Sequence, residues 1–119
     1  SASYPFAMPG VLIEKLESLV VVRKVCRKLE LGGGFPMTEL HSMALKRMLS
    51  SNELLQMTVE NPGFSQRETS LLHISEGLEA LKTAPLCRLE VFELTEADAD
   101  YGYSFSLEGY GNLIRALRS

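Results

Sequence analysis

Apolar side chains near the amino terminus recur at intervals of three and four residues, the pattern of an amphipathic helix. They are Leu12, Leu16, Leu19, Val22, Cys26 and Leu29. This spacing predicts one helix over residues 11–31, ended by the glycine run 32–34. A second apolar set lies off this stripe, so we expect the helix to be covered on two sides. That second set is Ile13, Val20, Val21 and Val25.

Three further helices are predicted downstream. Pro36 suits the first turn of a helix over 37–49. Two hydroxyl–carboxylate pairs with capping-box spacing then predict helix starts, giving helices over 51–59 and 66–82. These pairs are Ser50 with Glu53 and Ser65 with Glu68.

The carboxyl-terminal part of the chain changes to the alternating pattern of strands. Apolar and small polar residues alternate over 101–107, and 87–94 is rich in β-forming residues. The two segments predict an antiparallel hairpin with an acidic connection over 95–100, and a short terminal helix is predicted over 110–117. The predicted fold is therefore α+β and mostly helical, with four helices followed by a C-terminal antiparallel β-hairpin and a short terminal helix. We expect the helices to cover one face of the hairpin, and we find no internal repeat.

Composition places the chain among globular proteins. It has 119 residues, 45% of them hydrophobic and 23% charged, which is the range of a single domain with its own core. Met8 opens a reading frame, so we interpret residues 1–7 as a segment foreign to the domain and 8–119 as the domain. Cys26 and Cys87 are expected to be free buried thiols. The longest apolar run is far too short for a membrane span, and we expect a cytoplasmic protein.

Charge is unevenly distributed along the chain. The net charge is -3, yet residues 11–31 carry five basic and three acidic groups, while residues 86–108 carry one basic and six acidic groups. Four basic residues near the end of the predicted first helix either complement its dipole or form an electrostatic contact with a partner. That partner would be nucleic acid or the acidic hairpin of a second copy. The four residues are Arg23, Lys24, Arg27 and Lys28.

Residue patterns that carry catalysis or metal binding are sparse. His41 and His73 each lack a second metal-type residue at helical spacing. The glycine run 32–34 follows a helix and lacks the Lys-Ser/Thr ending of a phosphate loop, so it is interpreted as a helix cap. The acidic connection does not match a calcium loop, although it leaves a loose cation site open. We therefore predict no catalytic residues, no metal and no cofactor.

These observations favour a non-enzymatic regulatory protein that binds another protein, such as a transcription regulator or a toxin. Bacterial antiactivators, anti-sigma-like regulators and immunity proteins belong to this class. We expect a homodimer or partner interface on the second apolar set of the first helix. The alternative is a winged-helix DNA-binding regulator with 66–82 as recognition helix and 87–108 as wing, although acidic residues in both segments disfavour nucleic acid. A small enzyme is the third hypothesis.

Overall fold

The computed structural model describes residues 2–4, 10–32, 36–95 and 102–106. The strands are β1 (Ala2–Tyr4), β2 (Lys28–Leu31), β3 (Pro36–Met37), β4 (Gln56–Glu60), β5 (Gly63–Phe64), β6 (Val91–Thr95) and β7 (Gly102–Ser106). The α-helices are α1 (Gly10–Glu17), α2 (Glu39–Ser50) and α3 (Arg67–Ala80). A π-helical segment, Ser18–Val22, extends α1, and a 3-10 turn, Leu81–Thr83, follows α3.

The main sheet has its strands in chain order, β1-β2-β4-β6-β7. The first four strands are parallel, and β7 lies antiparallel to β6 at the edge. Strands β3 and β5 form a second, two-stranded parallel sheet. Crossovers between adjacent parallel strands follow a right-handed rule, which puts the helices of successive crossovers on one face of a sheet whose strands are in chain order. In agreement with this, α2 packs between α1 and α3.

Three strands bury equivalent positions against the helices. The register aligns their inward residues in two rows, which are Leu29, Met57 and Phe92, and Leu31, Val59 and Leu94. Another buried apolar residue precedes each strand by the same interval: Cys26, Leu54 or Leu89. All nine residues belong to one core cluster that includes the inward residues of the helices. The described chain is thus a tandem array of strand–helix units, so our interpretation that it lacks an internal repeat is wrong.

The predicted arrangement of four helices followed by an antiparallel hairpin is wrong, although the chain does combine helices and strands in one α+β fold. Within the described residues there are three α-helices, and the strands that form the centre of the main sheet are parallel. The two segments predicted to pair antiparallel do so, as β6 and β7, but they extend the edge of the main sheet and do not form a separate hairpin beneath a helical layer. The terminal helix predicted over 110–117 lies outside the described residues.

The single helix predicted over 11–31 is also wrong. The helical segment ends at Val22, where the Arg23 amide donates to the Ser18 carbonyl oxygen over 2.9 Å. Lys24 then adopts a left-handed conformation with φ 56°, which turns the chain towards β2. The helical spacing of Cys26 and Leu29 was misleading, because Leu29 also alternates with polar neighbours as a strand residue does.

The helix predicted over 51–59 is wrong for a similar reason. Residues 56–60 form β4, in which Met57 and Val59 face the core. Short apolar runs fit a helix or a strand equally well, and here the neighbouring parallel strands decide. The helices predicted over 37–49 and 66–82 are confirmed as α2 and as α3 with its 3-10 turn.

The winged-helix alternative lacks its structural basis in this fold. Its proposed recognition helix is α3, which packs beside α2 in the helical layer. The proposed wing contributes β6 and β7 to the main sheet, and β6 is paired with β4 on its other side. A wing in that family is a hairpin that is free to contact DNA.

Candidate functional site

The main sheet has a polar face opposite the helices, which we call the open face. It consists of the outward residues of β2, β4 and β6: Lys28, Glu30, Gln56, Thr58, Val91 and Glu93. Because side chains alternate along a strand, these six residues point away from the core rows. All are exposed or partly exposed except Thr58, which is 7% exposed at the centre of the face. The described helices leave this face uncovered.

Register brings polar side chains from distant parts of the chain into rows on the open face. Glu30, Thr58 and Glu93 are aligned across adjacent strands, which are about 4.8 Å apart in sheets. The Gln56 amide donates to the Thr58 hydroxyl over 3.2 Å. The face therefore offers carboxylate acceptors on both sides of a hydroxyl and an amide, a set suited to hydrogen bonding with another polypeptide.

A second group of charged residues surrounds Glu53 at the amino ends of the same strands; we call it the Glu53 cluster. Arg27 donates from Nη1 to Glu53 Oε2 over 2.8 Å and to the Glu53 carbonyl oxygen over 3.1 Å. Arg88 Nη1 lies 3.4 Å from Oε2, and Lys24 Nζ lies 3.7 Å from Oε1. The Glu53 side chain is 14% exposed, whereas the three cations are each about half exposed. One carboxylate thus holds three cations, and positive charge remains in excess.

The four basic residues singled out in the sequence are not all placed on a helix. Arg23 caps the π-helical segment, and Lys24 and Arg27 lie in the following loop. Lys28 is the first residue of β2 and belongs to the open face. Of these four residues, only Arg23 is close enough to the end of the helical segment to interact favourably with its dipole, because the dipole effect falls off within the last turn.

The four apolar residues predicted to form an interface occupy different environments. Ile13 and Val20 are 1% and 0% exposed and belong to the core of this chain. Val21 is partly buried against the core, while Val25 is 62% exposed. The helix is thus covered on two sides largely by its own domain, and an interface here would consist of Val21 and Val25. That interface remains a prediction.

His41 forms a hydroxyl–imidazole pair with Thr38, with Thr38 Oγ1 2.7 Å from His41 Nδ1. The same two side chains cap α2, because Nδ1 accepts from the Thr38 amide and Oγ1 accepts from the His41 amide, each over 3.4 Å. His41 is 5% exposed. The pair is therefore a reciprocal helix cap. The capping-box pattern has Glu or Gln at the position of His41, so this cap was not predicted from the sequence. The predicted box at Ser65 and Glu68 does not form, since Gln66 precedes α3 without a side-chain cap.

His73 lies where α2 meets α3. Its Nε2 is 4.0 Å from Glu39 and its Nδ1 is 3.6 Å from Glu76, while Lys46 Nζ is 3.5 Å from Glu76. Contacts among these side chains join the two helices. Across the described ranges, no group of three or more His, Cys, Asp or Glu residues is placed to hold a metal ion. The acidic connection that we left open as a cation site lies outside those ranges from residue 96 to 100.

Sequence analysis missed the residues that the parallel register brings together. Thr58 was assigned to a helix, Glu93 was counted only as part of an acidic segment, and Glu53 was interpreted as a capping residue. The one signal for the open face is the alternation of polar residues with apolar ones in 28–31 and 56–60. Those runs are too short to distinguish from helix by period alone.

None of the helices in the described part of the chain is sufficiently long and apolar to cross a membrane. Comparisons of the chain with protein-family models, with curated proteins and with solved structures found no match.

Proposed function

We propose that this chain is a non-enzymatic, protein-binding module whose partner binds on the open face. The observation that carries the proposal is the side of the parallel sheet that the described helices leave uncovered. Parallel sheets are normally covered on both faces by the helices that connect their strands, and the strands are therefore buried throughout. Here the outward side carries charged and amide side chains, including exposed Lys28 and Glu30, and a polypeptide partner would find both donors and acceptors on it.

The tandem strand–helix architecture supports the same proposal. Arrays of this kind stack their repeats into solenoids, and their strand surface serves as an extended binding face. Each unit has apolar residues at the first, fourth and sixth positions of its strand segment, as in Leu54, Met57 and Val59. This spacing resembles the strand segment of leucine-rich repeats. The resemblance concerns architecture, so the partner is inferred from the face and not from a family.

We further propose that the chain regulates its partner, because the sequence has few residue patterns typical of catalysis or metal binding. The proposed class is that of cytoplasmic regulators that bind a transcription regulator or a toxin. Homodimer formation through Val21 and Val25 is a separate element. Sedimentation velocity of the wild-type chain and of Val21→Glu tests it: a dimer that dissociates in the variant supports it, and a monomer in both contradicts it.

Quantitative affinity purification from the native host tests the open face. The sheet variant combines Glu30→Arg with Gln56→Arg, and the control combines Glu68→Arg with Ala80→Arg, which makes the same change in net charge on α3. We expect a protein that is retained by the wild type and by the control but lost from the sheet variant, and that binds the purified wild-type chain directly. Retention of the same proteins by all three would contradict the proposal.

A further inference from the structure

Three loops meet at the amino end of the main sheet, in the segments 22–28, 52–55 and 86–90. The middle segment joins the other two. The Leu55 amide donates to the Arg27 carbonyl oxygen over 2.7 Å, and the Glu90 amide donates to the Leu55 carbonyl oxygen over 2.8 Å. The Asn52 side chain donates to the Leu86 carbonyl oxygen and accepts from the Arg88 amide over 2.8 Å. The three segments therefore form one continuous surface, which we call the amino edge.

The amino edge carries positive charge in excess. Its three segments contain five basic residues and two acidic ones. One of the acidic residues, Glu53, is already held by Lys24, Arg27 and Arg88. In this contact the guanidinium groups of Arg27 and Arg88, which come from two separate segments, converge on the single carboxylate of Glu53. Arginine side chains so arranged are suited to carboxylate recognition.

Apolar side chains are exposed along the same edge. Of the large hydrophobic residues exposed within the described part of the chain, the three most exposed are Val22 at 74%, Leu86 at 71% and Val25 at 62%. Two flank Lys24 along the chain, and the third is two residues before Arg88. Highly exposed apolar side chains favour contact with a partner, because covering them removes apolar area from water.

We infer that the amino edge binds an acidic segment of a partner protein whose carboxylates alternate with apolar side chains. Five cations against two carboxylates provide the charge complementarity, and Val22, Val25 and Leu86 provide apolar contacts that a phosphate backbone would leave unused. Glu53 and Glu90 interrupt the positive surface, which favours discrete ion pairs with a peptide over the continuous attraction that nucleic acid or an anionic membrane requires. This surface shares Lys28 with the open face, and its other charged and apolar residues lie in the three loop segments.

Fluorescence anisotropy with a defined peptide tests the inference. The probe is a labelled peptide with the sequence of residues 90–100, which contains five carboxylate side chains as well as Val91, Phe92 and Leu94. We expect the full chain to bind it at low salt and to bind it more weakly as salt screens the charges. A control peptide with amides in place of all five carboxylates should not bind.

Two variants of the chain locate the binding. The first combines Lys24→Asn with Arg88→Gln; asparagine suits the left-handed backbone at position 24. The second combines Val22→Ser with Leu86→Ser, both at highly exposed positions. We expect each to bind the probe about tenfold more weakly, with circular dichroism melting confirming that both are folded. The control, Lys15→Gln with Lys46→Gln on the helices, should bind as the wild type does.

Several outcomes would overturn the inference: no binding of the probe at low salt, equal binding by the first variant and the control, or equal binding of the amide peptide. The inference would also be overturned if the wild-type chain failed to bind the probe but bound duplex DNA or phosphatidylserine vesicles, and if the first variant lost that DNA or vesicle binding. The sheet variant with Glu30→Arg and Gln56→Arg adds positive charge beside Lys28 and should bind the probe at least as tightly as the wild type. Loss of probe binding and loss of the open-face partner are thus separate results.

Discussion

At Gly77, α3 lies so close to α2 that an added side chain would disturb the contact. A methyl group added there would lie 3.0 Å from Leu49 Cβ, from Lys46 Cα and from the Lys46 carbonyl oxygen. Two of these three contacts are backbone atoms, which move only if the helix moves. Gly77→Ala should therefore push α3 away from α2.

The expected change in stability is the difference between two opposing effects. Helix propensity alone favours alanine over glycine by about 0.8–1 kcal/mol. Overpacking a close contact costs about 1–3 kcal/mol, and the upper part of that range applies where backbone must yield. We expect Gly77→Ala to lower the free energy of unfolding by about 1–2 kcal/mol.

Urea denaturation followed by circular dichroism measures this change. Leu72 is half exposed on the same helix, so Leu72→Ala compared with Leu72→Gly gives the propensity difference without the close contact. We expect alanine to be the more stable residue at position 72 and the less stable at position 77. If alanine is favoured at both positions by the same amount, the reasoning about helix contact is refuted.

Three other substitutions test separate features of the fold by the same denaturation assay. Phe92→Ala should cost about 3–5 kcal/mol, because the ring is fully buried in the core; a loss below about 1 kcal/mol would place it outside the core. Thr38→Ala should lower the free energy of unfolding by about 1 kcal/mol, because it removes the cap that Thr38 shares with His41. An unchanged free energy of unfolding would show that the cap does not stabilise the fold. Arg47→Ala should cost about 0.5–1 kcal/mol, since Arg47 donates to both oxygens of Glu17 over 2.6 and 3.0 Å. That hydrogen bond raises the pKa of Arg47, so its contribution is lost only as pH rises through the raised value and should be constant from neutral to mildly alkaline pH; a change across that interval would contradict the assignment.

Two helices, α2 and α3, were predictable from the sequence, whereas the longer apolar pattern over 11–31 runs from a helix into β2. In α2 and α3 the apolar period persists over three turns or more, and each was placed within about two residues. Strands β2 and β4 were not predictable in this way, because each is four or five residues long. Their stability comes from parallel neighbours that are distant along the chain, and such pairing leaves no local signal.

The candidate sites divide along the same line. The basic residues from 23 to 28 could be identified from composition, but their convergence with Arg88 on Glu53 depends on three loops that only the parallel register brings together. The open face depends on the same register, since Glu30, Thr58 and Glu93 are aligned by strand pairing alone. Burial of Ile13 and Val20 within the domain, likewise, follows from helices that pack on the sheet.

The central claim is that the face opposite the helices is available for a partner, and two adjacent residues of β4 test it. Thr58 points to the open face and Val59 points to the core, where it is 0% exposed. The measurement is the free energy of unfolding of Thr58→Lys and of Val59→Lys. If the face is open, a lysine at position 58 extends into solvent and costs about 1 kcal/mol or less, whereas a lysine at position 59 costs more than about 4 kcal/mol. A comparably large loss in both variants would show that the face is covered and would contradict the account.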